Sequence, residues 1–186
     1  YRALDGVPGV RRAINRLQQR RYERLLKELQ VLVVNSPLDG KFRMSGGTLL
    51  GYHREGRLLP WDCWDIDFDI EAHHLPELAA TIPLLLEAGW RQRVTWFNND
   101  GDVAMVRLIR KFVGLDLVIA YDRDDQSVSW LFSKRDGVWL HADVRLPIAS
   151  TQSVDFLGPT WPAPYPVHPH LAPIVGPGSG PYPHRP

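Results

Sequence analysis

The sequence predicts an α+β domain, and three observations predict it. A long helical stripe opens the chain, a second helical segment follows near residue 80, and a run of short alternating segments separated by turn clusters fills the rest. A chain of 186 residues suits one domain, or one domain with a tail, and can bury a sizeable core. The net charge of +1 argues against a dedicated nucleic-acid or membrane-surface binder. No run approaches the length of a transmembrane helix, and the first residues carry no signal-peptide pattern. The single cysteine, Cys63, excludes an internal disulfide and a cysteine-rich zinc site.

The first helix is expected from about Pro8 to Val34, because Val10, Ile14, Leu17, Tyr22, Leu25, Leu26 and Leu29 recur at helical spacing. Its other face carries Arg11, Arg12, Arg16, Arg20, Arg24 and Lys27, a pattern that most often marks a solvated face. Asn35-Ser36-Pro37 ends the helix, and Lys41–Met44 reads as a short strand. A second helix is expected over Leu75–Ala88, with Gly89 as its stop and Pro83 kinking or splitting it. Strands follow at Gln92–Phe97, Val103–Lys111, Leu115–Tyr121, Ser127–Phe132 and Val138–His141. Asn98-Asn99-Asp100-Gly101 and Lys134-Arg135-Asp136-Gly137 mark hairpin turns, with a tight turn at Phe112-Val113-Gly114. Beyond residue 157 the composition shifts, and ten of the sixteen prolines lie between Pro159 and Pro186. The expected division is therefore a folded domain over 1–157 and an extended Pro/Gly-rich arm over 158–186, without regular helix or sheet.

The chemistry concentrates in one stretch. Asp65, Asp67 and Asp69 share one parity, while Trp64, Ile66, Phe68 and Ile70 take the other. Such alternation reads as a half-buried strand, on which residues two apart share a face at roughly 6.5–7 Å. Three carboxylates held that close repel one another unless a cation neutralises them. A calcium loop is excluded, since it needs a glycine and polar spacers where Ile66, Phe68 and Ile70 stand. Hard oxygen ligands in a D-x-D pattern, joined by a carboxylate from a neighbouring strand, suit Mg²⁺ or Mn²⁺ in phosphoryl or nucleotidyl transfer. Asp116 fits the neighbouring-strand role, because Leu115, Leu117, Ile119 and Tyr121 flank it on the opposite parity. Its bland alternative is a salt bridge to Arg107 or Arg110. Upstream, Ser45-Gly46-Gly47-Thr48 lies between a strand and a short helix, Thr48 to Arg54. Glycines there let backbone amides approach a ligand, and a helix N-terminus favours phosphate.

Gly46-Gly47-Thr48-Leu49-Leu50-Gly51, Arg54, and Leu59-Pro60-Trp61-Asp62 followed by the acidic strand resemble the LicD/fukutin family. Phe156-Leu157-Gly158, the prolines around Trp161, and Leu171 with Val175-Gly176 resemble the family's weaker C-terminal pattern. The resemblance implies a nucleotidyltransferase-like (polymerase-β-type) mixed sheet with helices packed mainly on one side. It also implies a transferase moving a phosphorylated alcohol or sugar, such as phosphocholine or ribitol phosphate, from a CDP- or GDP-linked donor to a glycan hydroxyl. By position, Gly46, Gly47 and Thr48 would form the donor loop, and Arg54 would face donor phosphates. The D-x-D pair and Asp116 would bind Mg²⁺ or Mn²⁺, with Asp69 close by.

One spacing departs from the family. Two residues, Cys63 and Trp64, separate Asp62 from the acidic run where the family has one, so the pair is Asp65/Asp67 or Asp67/Asp69. The smaller change favours Asp65/Asp67, and Asp67 belongs to both. Softer candidates are Arg110 and Lys111 as phosphate partners and His141 beside Asp143 as a general base. Trp61, Trp64 and Trp161 are further candidates, as stacking surfaces. His168-Pro169-His170 lacks ligands at zinc spacing and reads as tail. Two rival functions remain open at the sequence level. One is transfer of a nucleoside monophosphate to RNA, protein or a small molecule, and the other is a degenerate binding domain that regulates a partner.

Overall fold

A computed structural model describes the backbone of residues 8–59, 64–135 and 138–175, and side chains for 13–59, 64–132 and 142–174. Helix α1 spans Pro8–Val34. Strand β1 (Arg43–Met44), helix α2 (Gly46–Glu55) and strand β2 (Asp65–Glu71) follow. A 3-10 turn over Ala72–His74 leads into α3 (Leu75–Glu87). Five antiparallel-connected strands come next: β3 (Arg91–Phe97), β4 (Val103–Arg110), β5 (Val113–Arg123), β6 (Gln126–Arg135) and β7 (Val138–Pro147). A hairpin of β8 (Ser150–Asp155) and β9 (Thr160–Tyr165) precedes α4 (Val167–Val175).

The main sheet runs β1-β2-β5-β4-β3, and β5 bends onward to pair with β6, which pairs with β7. The β2–β5 pair is parallel and its neighbours are antiparallel, so the sheet is mixed and the protein is α+β. One face of β2 and β5, with Ile66, Phe68, Ile70, Leu115, Leu117 and Ile119, is sealed from water. Helices α1, α2 and α3 pack on that face through Tyr22, Leu25, Leu26, Leu49, Leu78 and Leu85. Each such side chain contributes about 1.5–3 kcal/mol by leaving water. The opposite parity of the same two strands is thereby left to the carboxylates.

Several local expectations are corrected. Leu17 is 56% exposed, because the buried stripe of α1 runs through Gln18, Tyr22, Leu25 and Leu29. Gln18 is instead turned inward, donating from Nε2 to the Phe112 carbonyl at 3.0 Å. Arg16, Arg20, Arg24 and Lys27 are exposed, as a solvated face requires. Pro83 does not split α3. It removes one backbone donor, but Leu78 and Leu85 are buried on either side and hold both halves in the core. The tight turn lies at Lys111-Phe112 rather than 112–114. Both residues have positive φ, at 50° and 68°, and Arg110 pairs with Val113 across a two-residue loop.

The largest correction concerns the segment after residue 157. It forms a strand and a helix, and the hairpin that contains the strand spans that position, with Asp155 opposite Thr160. Pro162 and Pro164 share one parity on β9, so they remove donors from one edge only, which a strand of a two-stranded sheet tolerates. Pro169 falls in the first turn of α4, where its missing N–H would have had no partner. Trp161 is fully buried against Phe42 and Phe68, at centroid distances of 6.2 and 5.3 Å, so it is core rather than a stacking surface.

Candidate active site

The parallel register of β2 and β5 sets Asp65 beside Gly114 and Asp67 beside Asp116. Antiparallel pairing on the other side of β5 sets Arg107 of β4 beside Asp116. These side chains share the face opposite to the one that α1, α2 and α3 cover. They line a cavity of about 210 Å³ together with Ser45, Gly46 and Asp69. Its remaining wall is apolar and aromatic, including Trp96, Met105, Trp130 and Phe132. Trp96 and Phe132 stack with centroids 5.4 Å apart and planes at 25°.

Asp67 is the most highly organised of the acids. Its Oδ2 accepts hydrogen bonds from the backbone N–H groups of Gly47 (2.9 Å) and Thr48 (3.3 Å) at the start of α2. Ser45, the N-cap, makes no side-chain cap of its own, so the Asp67 carboxylate takes that role from the neighbouring strand. The contact is reciprocal: Thr48 Oγ1 accepts from the Asp67 N–H at 2.9 Å and lies 2.6 Å from the Tyr22 hydroxyl. Gly46 permits this approach. Its φ is +48°, and a Cβ there would sit 2.8 Å from Asp67 Oδ2. The glycine loop thus presents two amides to a protein carboxylate, where the sequence suggested a ligand phosphate.

Asp65 and Asp116 are joined through a guanidinium. Arg107 Nη2 lies 2.6 Å from Asp65 Oδ1, and its Nε lies 2.9 Å from Asp116 Oδ1. The salt bridge weighed against a metal role for Asp116 is therefore present, and it extends to Asp65. Gly114 makes room for it, since a Cβ there would collide with Asp65 Oδ1. Asp116 is 8% exposed, and its Oδ1 is enclosed without an aligned hydrogen bond, so the Arg107 contact acts through charge alone. Burial pushes the Asp116 carboxyl up to about 7, against the lowering effect of Arg107 and with a further rise from Asp65. Arg107 is itself held above its ordinary range, because Asp116 and Asp65 outweigh the effect of its own burial.

Asp69 stands apart. It is 2% exposed, and its Oδ2 lies 3.0 Å from Nε2 of His170, which is fully buried on α4. His170 is thus part of the folded body rather than of a tail, and it gives Asp69 the partner that Asp67 finds in the loop amides. Arg54 lies eight residues beyond Gly46 on α2, roughly 12 Å along the helix axis, and is not among the residues lining the cavity. Arg110 pairs with Glu28 on α1, and Lys111 sits in the exposed turn. Asp143 is exposed, while the side chain of His141 and the whole of Pro60, Trp61, Asp62 and Cys63 lie outside the described residues.

Sequence reasoning missed the aromatic wall, read His170 as part of a tail, and gave Arg107 only as a salt-bridge partner. Arg107 did carry a signal: it is a lone cation between Val106 and Leu108 on a strand, facing the same parity as the acids. The aromatic wall had none, because its residues come from β3 and β6, which meet only in the fold.

Asp116 holds an enclosed acceptor oxygen without an aligned hydrogen bond, and Asp67 and Asp116 are directly paired across β2 and β5, so the pair offers the oxygen chemistry that a hard divalent cation takes. Fold and site together define an α+β domain whose parallel strand pair presents acids to an aromatic-walled cavity. The family model described as LicD/FKTN/FKRP, nucleotidyltransferase domain, matches residues 41–166, and the chain belongs to that family. At that level it is a transferase-type domain of glycan-modifying phosphotransfer. None of the curated proteins matches it.

Proposed function

We propose that the protein is a metal-dependent phosphotransferase that moves a phosphorylated alcohol or sugar from a CDP- or GDP-activated donor to a glycan hydroxyl. The pairing of Asp67 with Asp116 in one acid-floored, aromatic-walled cavity carries this reading. Asp65, Asp67 and Asp116 would hold Mg²⁺ or Mn²⁺, with Asp69 as a close neighbour. Such a cation, when bound, offsets the charge of a diphosphate and polarises its phosphoryl oxygens.

The chain's own residues supply the rest. Loop amides 47 and 48 fix the Asp67 carboxylate before any donor arrives, so no reorganisation is needed at that ligand. Arg107 neutralises Asp65 and Asp116 in the empty cavity and remains close enough to meet a donor phosphate. Trp96 and Phe132 offer a flat apolar surface suited to a base or a sugar ring. The donor loop at Gly46, Gly47 and Thr48 would then act through Asp67, while Arg54 would require a donor that extends along α2.

The test is a screen of CDP- and GDP-linked donors with and without Mn²⁺, detecting nucleoside monophosphate release. The account expects metal-dependent release from at least one donor. Incorporation of a nucleotide without release of its monophosphate would instead support nucleotidyl transfer. Failure of any CDP- or GDP-linked donor to bind by calorimetry in the presence of Mn²⁺ would support a degenerate binding domain.

A further inference from the structure

At the end of β2 remote from Asp65, the strand runs into the 3-10 turn and three metal-ligating side chains converge. Ligand atoms of Glu71, His73 and His74 all lie within 4.8 Å of one another. None of the three lines the carboxylate cavity. The single turn after Glu71 brings the two imidazoles back beside it, with ring centroids 3.9 Å apart and planes at 52°. Two imidazoles so close bring their ring nitrogens within reach of a single shared cation.

The surroundings orient this group. Arg43 Nη1 lies 3.4 Å from Glu71 Oε1, which leaves Oε2 turned towards His73 Nε2 at 3.6 Å. Behind His74, Glu77 Oε2 lies 3.8 Å from Nδ1, and Glu77 is anchored by Lys41 at 2.9 Å. A carboxylate behind a ligating imidazole is the arrangement that fixes ring orientation in metal sites. A cavity of about 120 Å³ lined by Lys41, Arg43, Glu71 and His74 opens beside the group. His73 is exposed, so an ion can enter without any opening of the fold. Two imidazole nitrogens and one carboxylate oxygen suit Zn²⁺ or Co²⁺ rather than Mg²⁺.

We propose that Glu71, His73 and His74 form a second site, for a divalent transition metal of the Zn²⁺ class, separate from the carboxylate cavity. An ion there would tie the end of the acid-bearing strand to the turn that opens α3. The proposal is independent of the transferase reading and its test needs no turnover.

The test is a Co²⁺ titration of the full chain, read by visible d–d absorption and followed by displacement with Zn²⁺. The native chain is expected to give a saturable band with nitrogen-ligand character that Zn²⁺ abolishes. His73→Ala/His74→Ala should weaken the nitrogen-ligand band about 10-fold or more, while Arg20→Ala on the exposed face of α1 should leave it unchanged. Should the double variant unfold, His73→Ala alone carries the same expectation, since that side chain is exposed. An undiminished nitrogen-ligand band in the histidine variant would overturn the proposal, as would the absence of any such band in the native chain.

Discussion

Asp67 and Asp69 are the same residue on the same strand, two positions apart, yet the fold treats them oppositely. Both line the cavity, but Asp67 is held there by loop amides, while Asp69 is buried against His170 of α4. What separates them is not local sequence but what lies over each end of β2. The loop before α2 covers one end with N–H donors, and the C-terminal helix covers the other with a buried imidazole. One carboxylate is fixed by backbone donors, and the other is committed to a buried histidine.

Breaking the Asp67 end should produce the largest effect. Asp116→Asn keeps the shape of the cavity but removes a ligand charge, and metal-dependent donor turnover should fall by at least about 100-fold, measured as kcat/KM. Breaking the Asp69 end should be read in stability instead. His170→Ala leaves Asp69 Oδ2 buried without its partner, at a cost of about 1–3 kcal/mol in chemical denaturation. Gly46→Ala forces a side chain into a left-handed backbone 2.8 Å from Asp67 Oδ2, and about 1–2 kcal/mol should be lost together with turnover. At the remote surface of α1, Arg20→Ala should change stability by no more than about 0.5 kcal/mol.

The pH dependence sharpens the same contrast. Asp116 is raised from 3.8 to about 7, so between those values the folded chain binds a proton that the unfolded chain has released. Its contribution to stability therefore falls as pH rises through that window. Denaturation at pH 5 and pH 8 should show this loss in the native chain and a smaller one in Asp116→Asn.

Much of this was legible because it is local. Alternation from Trp64 to Ile70 exposes both the buried face and the acids, and Leu115, Leu117 and Ile119 do the same for Asp116. The Gly-Gly step before a helix signalled a close backbone approach, although its partner proved to be Asp67. The inequality of Asp67 and Asp69 was not legible, since His170 lies 101 residues from Asp69. It was hidden further by prolines, whose density suggested an arm. The structure accommodates Pro162 and Pro164 on one edge of β9 and Pro169 in the first turn of α4, and carries Pro173 inside that helix, with Trp161 and Leu171 in the core. Proline content reports missing donors, and it excludes regular structure only where those donors are needed.

The central claim is that chemistry is centred on Asp67 rather than Asp69. Its most direct test is a side-by-side assay of Asp67→Asn and Asp69→Asn for Mn²⁺-dependent nucleoside monophosphate release, at matched folded fraction. The account predicts a loss of at least about 100-fold for Asp67→Asn, and a change within about 10-fold for Asp69→Asn. Retained turnover in Asp67→Asn with loss in Asp69→Asn would contradict it.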